Sequence, residues 1–135
     1  MHWGGVILSG LKYLSQLKKE CAMIKIKRIY NRASSDDGKR IYVDRLWPRG
    51  MKKEEVKIDE WLKDISPSDA LRKWFGHDPS KYEEFKRRYT QELENHSEIL
   101  EKIKIEGKRK TVTLLFSARD VNYNNATVLK EILTE

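Results

Sequence analysis

Tyr42-Val43-Asp44-Arg45-Leu46-Trp47-Pro48-Arg49-Gly50 begins as a strand and ends as a turn. The β-type run over Arg40 to Leu46 meets Pro48, which has no N–H for a sheet ladder, and Gly50, which permits a reversal, so the chain leaves the sheet there. Ligands of α/β domains collect outside the carboxyl ends of the strands. Asp44, Arg45, Trp47 and Arg49 therefore become ligand-binding candidates: one carboxylate acceptor, two guanidinium forks and an indole plane, a set suited to an anion joined to a flat group.

Outward from that stretch, Ile24, Ile26 and the Ile29-Tyr30 pair start an earlier strand, and Ser34-Ser35-Asp36-Asp37-Gly38 marks a turn between the two. Ile58, Trp61, Leu62 and Ile65 follow i, i+3, i+4, i+7 spacing and predict a helix over about Lys53 to Asp64. Leu71, Trp74 and Phe75 predict a short helix that Ser68 caps and Gly76 ends. Asp78-Pro79 opens the longest helix, whose seam Tyr82, Phe85, Tyr89, Leu93, His96, Leu100 and Ile103 runs to Gly107. Thr111 to Ser117 is apolar enough to be a central strand. Asn124 or Asn125 caps a last helix carrying Val128, Leu129, Ile132 and Leu133.

This order predicts a single compact α/β domain: a small, mainly parallel sheet of about three strands covered by helices. If the strands ending at Leu46 and Ser117 are parallel, the Trp47 turn and the Ser117 to Asn125 loop share one edge. Ser117, at the end of its strand, then joins the candidates, with Asp120 and Asn125 as hydrogen-bonding groups at a helix start that could also receive an anion. Ser117 lies in no Gly-x-Ser-x-Gly elbow and has no assigned base, which makes it a weak nucleophile. Arg72 is expected to reach the site from the short helix, with Trp74 in the core. His77 is read either as a proton carrier near neutral pH or as a surface or capping histidine; His96 is read as a core histidine. Tyr89 and Glu92 are read as groups that close the pocket or, alternatively, as core and solvent-facing residues.

Composition narrows the functional classes. A chain of 135 residues suits one domain, and 4 Trp, 6 Tyr and 3 Phe supply large side chains for its core. The net charge of +7 is concentrated: residues 23–53 hold ten lysines and arginines against three aspartates. That excess suits phosphate-bearing small molecules or nucleic acid. One cysteine, Cys21, excludes an internal disulfide framework and a Cys-built metal site. No His-Glu-x-x-His, Gly-x-Gly-x-x-Gly or phosphate-cradling Gly-x-x-x-x-Gly-Lys is present, so no metal or cofactor is expected. Residues 1–22 are set apart as an extension, with Ile7, Leu8, Leu11, Leu14, Leu17 and Cys21 at helical spacing. They predict an amphipathic helix, docked on the domain or on a second copy, with no membrane span or export signal. Residues 23–135 form the domain, and the cytoplasm is the expected location.

Three phrases together carry a resemblance: Val43-Asp44-Arg45-Leu46-Trp47-Pro48-Arg49-Gly50, Leu71-Arg72-Lys73-Trp74-Phe75-Gly76-His77, and Val112-Thr113-Leu114-Leu115-Phe116-Ser117-Ala118 with Asn125-Ala126. In these the chain resembles the YeaO-like branch of the domain of unknown function 488 family, from Met23 to about Leu133. The resemblance implies a compact cytoplasmic α/β domain and brings no established activity. Longer members carry a Cys-Glu and a Cys-His-Arg around the last strand and helix, where this chain has Ser117 to Asp120 and Asn124-Asn125. No thiol chemistry is therefore carried over. The residues favour a pocket for an anionic small molecule; nucleic-acid binding through Lys25, Lys27, Arg28, Lys52 and Lys53, and a protein-interaction module assembled through residues 1–22, are the alternatives.

Overall fold

The computed structural model describes residues 23–135, so the helix expected over residues 1–22 lies outside the described part. Four strands, β1 (Ile24–Arg28), β2 (Lys39–Tyr42), β3 (Glu60–Trp61) and β4 (Val112–Phe116), form a sheet in the order β1-β4-β2-β3, with every pair parallel. The sequence leads to an expectation of about three strands; the fourth is the short edge strand β3. Four helices follow the third strand or the fourth: α1 (Asp69–Phe75), α2 (Tyr82–Leu93), α3 (Ser97–Arg109) and α4 (Asn125–Leu133).

β4 takes the centre because its residues, apolar except for Thr113, are buried on both faces. Side chains alternate across the sheet. Ile41, Val43, Val112, Leu114 and Phe116 join the main core with Leu71, Phe75, Phe85, Leu93, Ile103 and Leu129 from the four helices. Tyr42 and Leu115 point the other way, with Ile29, and are covered by Met51, Val56, Ile58 and Trp61. One face of the sheet thus carries helices and the other an irregular strap.

That strap replaces the helix expected over Lys53 to Asp64. Ile58 and Trp61 enter the strap-side cluster while Leu62 and Ile65 enter or border the helix-side core, so the helical spacing reflects an edge strand that feeds two cores. The backbone confirms where its hydrogen bonds go: Asp59 N–H donates to Arg40 O (2.8 Å) and Leu62 N–H to Tyr42 O (3.0 Å), both on β2 rather than within a helix. β2 itself stops at Tyr42, earlier than Leu46, although Val43 N–H still donates to Leu115 O (3.0 Å).

The long helix is also divided. A 3-10 turn over Glu94–His96 separates α2 from α3, and His96 ends half-buried instead of in the core. Asn95 and Ser97, residues whose side chains compete for nearby backbone groups, sit at this break. Gly107 does not end the helix, which runs on to Arg109. A Cβ there would lie 2.3 Å from Ile24 Cδ1, so the missing side chain lets α3 approach β1 closely. Trp74 is only half-buried, under Arg88 (4.3 Å from the ring centroid), and Leu71 and Phe75 are the core residues of α1.

Among the described residues no helix is long and apolar enough to cross a membrane.

Candidate functional site

Because β2 and β4 are adjacent and parallel, their carboxyl ends emerge side by side. The chain then diverges: from β2 it goes outward to β3, and from β4 into α4, which packs on β1 and β4. Such a divergence opens a crevice between the two loops. A cleft of about 900 Å³ lies there, and Asp44, Arg45, Trp47, Arg49, Arg72, His77, Ser117, Asp120 and Asn125 all line it.

Asp44 anchors the cleft. Its carboxylate accepts from the Ser117 amide (3.0 Å), from the Ser117 hydroxyl, and from Asn125 Nδ2 (2.9 Å), which also donates to Val43 O (3.0 Å). The Asp44 carbonyl accepts from Trp61 Nε1 (2.7 Å). Three segments distant in sequence are thereby tied to one residue. Beneath it, burial and then the Asp44 carboxylate push the Tyr42 phenol well above its ordinary pKa, keeping it a donor to Leu46 O (2.7 Å).

The other acid is occupied too. Asp120 Oδ1 accepts from the amides of Asn122 (2.9 Å) and Tyr123 (3.0 Å), shaping the loop into α4. Asn124, nearly fully buried, caps that helix by accepting from Thr127 N–H (2.9 Å).

The arginines are less committed. Arg45 spends only Nε, on Pro67 O (3.3 Å), and Arg49 is exposed. Neither forms an ion pair among the described residues. Arg72 is held by Asp69 (2.6 Å), with its Nε buried and unpartnered. His77 is exposed, in a left-handed conformation with φ 57°, which histidine adopts more readily than most non-glycine residues. Trp47 lines the cleft but is largely occupied elsewhere: its Nε1 donates to Met51 O (2.7 Å) and its ring meets Trp61 edge-on at 5.5 Å. Tyr89 and Glu92 do not reach the cleft. Tyr89 donates to Ile65 O, and Glu92 binds the Ser68 amide (2.8 Å) and hydroxyl (2.6 Å) at the start of α1.

Residues 23–135 match the family model DUF488-N3i, described as the inactive DUF488-N3 subclade. The chain belongs to the DUF488 family, in its YeaO-like branch. It is 43% identical over 110 residues to the uncharacterised protein YeaO of Escherichia coli (strain K12), an alignment covering 82% of this chain and 96% of that protein. Uncharacterised proteins of Mycobacterium tuberculosis (strain ATCC 25618 / H37Rv) and Mycobacterium bovis (strain ATCC BAA-935 / AF2122/97) are each 37% identical over 110 residues, 82% of this chain and 92% of theirs. No solved structure matches.

In this DUF488 domain the cleft also contains Arg28, expected only on a nucleic-acid surface, Phe75 and Phe85, expected only in the core, and Tyr30 and Arg119, which carried no site expectation. Arg28 Nε donates to Ala118 O (2.8 Å), and its guanidinium lies 5.0 Å from the Tyr30 ring centroid. Tyr30 donates to Arg49 O (2.9 Å). Arg119 is exposed at the start of the loop after β4. The signal for Arg28 and Tyr30 was the end of β1, which becomes relevant only once β1 is known to flank β4. Among the described residues no group of three or more His, Cys, Asp or Glu is placed to hold a metal ion.

Proposed function

We propose that this DUF488 domain binds a phosphate- or carboxylate-bearing small molecule in the cleft at the carboxyl edge of its sheet. The supporting observation is an imbalance of charge. Arg45, Arg49 and Arg119 line the cleft without an ion pair among the described residues, whereas the Asp44 carboxylate is taken up by neutral donors and Asp120 Oδ1 by two backbone amides. Guanidinium forks left without an acid suit a carboxylate or phosphate. The volume lies in the range usual for small-molecule sites.

Binding without turnover is the reading we favour. Ser117 and Asp44 are engaged with each other, and the ring nitrogens of His77 have no hydrogen-bond partner among the described residues. The word inactive in the family description supports the same view.

Nucleic-acid binding draws less support, because three of its five cations are engaged inside the domain: Lys27 with Asp37 (3.0 Å), Lys25 with Asp36 O (3.1 Å) and Arg28 with Ala118 O. A salt series separates the two readings. Duplex binding through several phosphates weakens by roughly 0.9 in log-log slope per phosphate neutralised. We expect phosphorylated and carboxylated metabolites to bind with a shallow salt dependence, and Arg49→Ala to weaken them about tenfold or more, as loss of a charged hydrogen bond implies. Tight oligonucleotide binding with a steep slope, indifferent to Arg49→Ala, would overturn the proposal.

A further inference from the structure

We propose that the ligand carries a planar ring as well as its anionic group, and that Tyr30, rather than Trp47, is the surface on which that ring stacks. The inference rests on the anion-binding reading of the same cleft and specifies the class of molecule: a phosphorylated aromatic compound, with a nucleoside monophosphate as its simplest probe.

Trp47 is the aromatic residue suggested by its place between Arg45 and Arg49. Its indole is spent on closure, however, with its N–H on Met51 O and its ring against Trp61. Tyr30 has the opposite character. It is 38% exposed, yet it is held at two points. The hydroxyl donates to Arg49 O, and the Arg28 guanidinium lies over the ring. Arg28 is itself fixed, through Nε on Ala118 O and Nη2 on Ser117 O (3.4 Å).

A ring fixed in this way loses little rotamer freedom when a ligand stacks on it. The cation draws electron density from the ring, which favours an electron-rich heterocycle as the stacking partner. The Tyr30 hydroxyl bonds to the backbone of Arg49, so the ring and one unpaired guanidinium are adjoining parts of the cleft wall. Arg45 and Arg119 complete that wall. A phosphate held by these guanidiniums places an attached planar group within reach of Tyr30, and 900 Å³ accommodates both.

The test uses the full chain and measures, by calorimetry, the affinities of AMP, GMP, CMP and UMP against ribose 5-phosphate, with Tyr30→Leu and Tyr30→Phe. Tyr30 is outside the core, and thermal melts check that both variants fold. At least one nucleotide is expected to bind about tenfold or more tighter than ribose 5-phosphate, the range that base–aromatic stacking gives. Tyr30→Leu should erase that gap by weakening the nucleotide more than ribose 5-phosphate, while Tyr30→Phe, which keeps the ring and loses only the bond to Arg49 O, should keep most of it. Equal affinities for nucleotide and sugar phosphate, or an equal loss of both in Tyr30→Leu, would overturn the stacking inference and leave the anion site standing. If neither class bound and the metabolites of the salt series also failed, both readings would fall together.

Discussion

At the amino end of β2, Asp37 is 3% exposed and pairs with two cations, Lys27 at 3.0 Å and Arg40 at 2.5 Å; at the carboxyl end, Asp44 takes only neutral donors from Ser117, Asn125 and Tyr42. The two aspartates flank a strand of four residues. Around Asp37 the buried charges pair inside the domain, and Thr113 Oγ1 on β4 donates to its carbonyl (2.6 Å). Around Asp44 the cations are left over, because the acid that could have paired with Arg45 or Arg49 is saturated without them. Charge is cancelled where the domain is only being held together and kept separate where a cleft opens.

The largest effect expected from this comparison is at Asp37. Asp37→Ala leaves Arg40, itself 6% exposed, as a buried cation without its acid. Breaking such a pair costs about 3–5 kcal/mol. Chemical denaturation of the variant measures it. Burial pushes the Asp37 carboxyl up, but the Ser34 amide and then Lys27 and Arg40 outweigh this and hold its pKa below the ordinary value. A depressed folded pKa contributes stability that is present above the unfolded value of about 3.9 and is lost as pH falls through the folded one. The stability gap between wild type and Asp37→Ala should therefore be widest near neutrality and narrow below about pH 4. A gap that stayed constant into acid would show that packing, and not charge, holds this end of the strand.

Asp44→Ala should cost less, about 1–3 kcal/mol, since it strands neutral donors and no buried cation. The same denaturation series tests the ranking. A loss equal to that at Asp37 would mean that the two ends of β2 are not the contrast described above.

The legibility of this arrangement in sequence was uneven for a physical reason. Val112 to Phe116 announces a central strand because burial on both faces demands an unbroken apolar run. Pro48 and Gly50 likewise mark where the chain leaves the sheet. From these, and from parallel pairing, follows the meeting of the Trp47 turn with the Ser117 loop. The partners of Asp44 were not legible: Ser117 and Asn125 lie 73 and 81 residues away, and no local pattern reports a bond across that span. The strap over the second face was misread because Ile58, Trp61, Leu62 and Ile65 fit helical spacing while dividing between two cores. The apolar–polar alternation of Val56, Lys57, Ile58 and Asp59 was the competing signal, and it points to an extended segment. Arg28 and Tyr30 stayed hidden because strand order decides which strand end borders a cleft, and spacing says nothing of strand order.

The smallest expected effect is the one that most sharpens the comparison. Replacing Arg49 and Arg119 together by alanine should change stability by no more than about 0.5 kcal/mol, because both are exposed and neither is ion-paired among the described residues. Removing two like charges from one cleft should relieve repulsion, so any change should be slightly favourable and should fade as salt screens it. The contrast appears when ligand is added. Anything that binds only the folded state stabilises it by RT ln(1 + [L]/Kd), about 2.7 kcal/mol at a hundredfold excess over Kd. Wild type should therefore melt progressively higher as a bound phosphorylated ligand is raised, while the double variant, equally stable alone, should stay flat over the same range. A double variant that melted well below wild type without ligand would show that these guanidiniums are structural, and the carboxyl end of β2 would then differ from the amino end only in the partners that hold it.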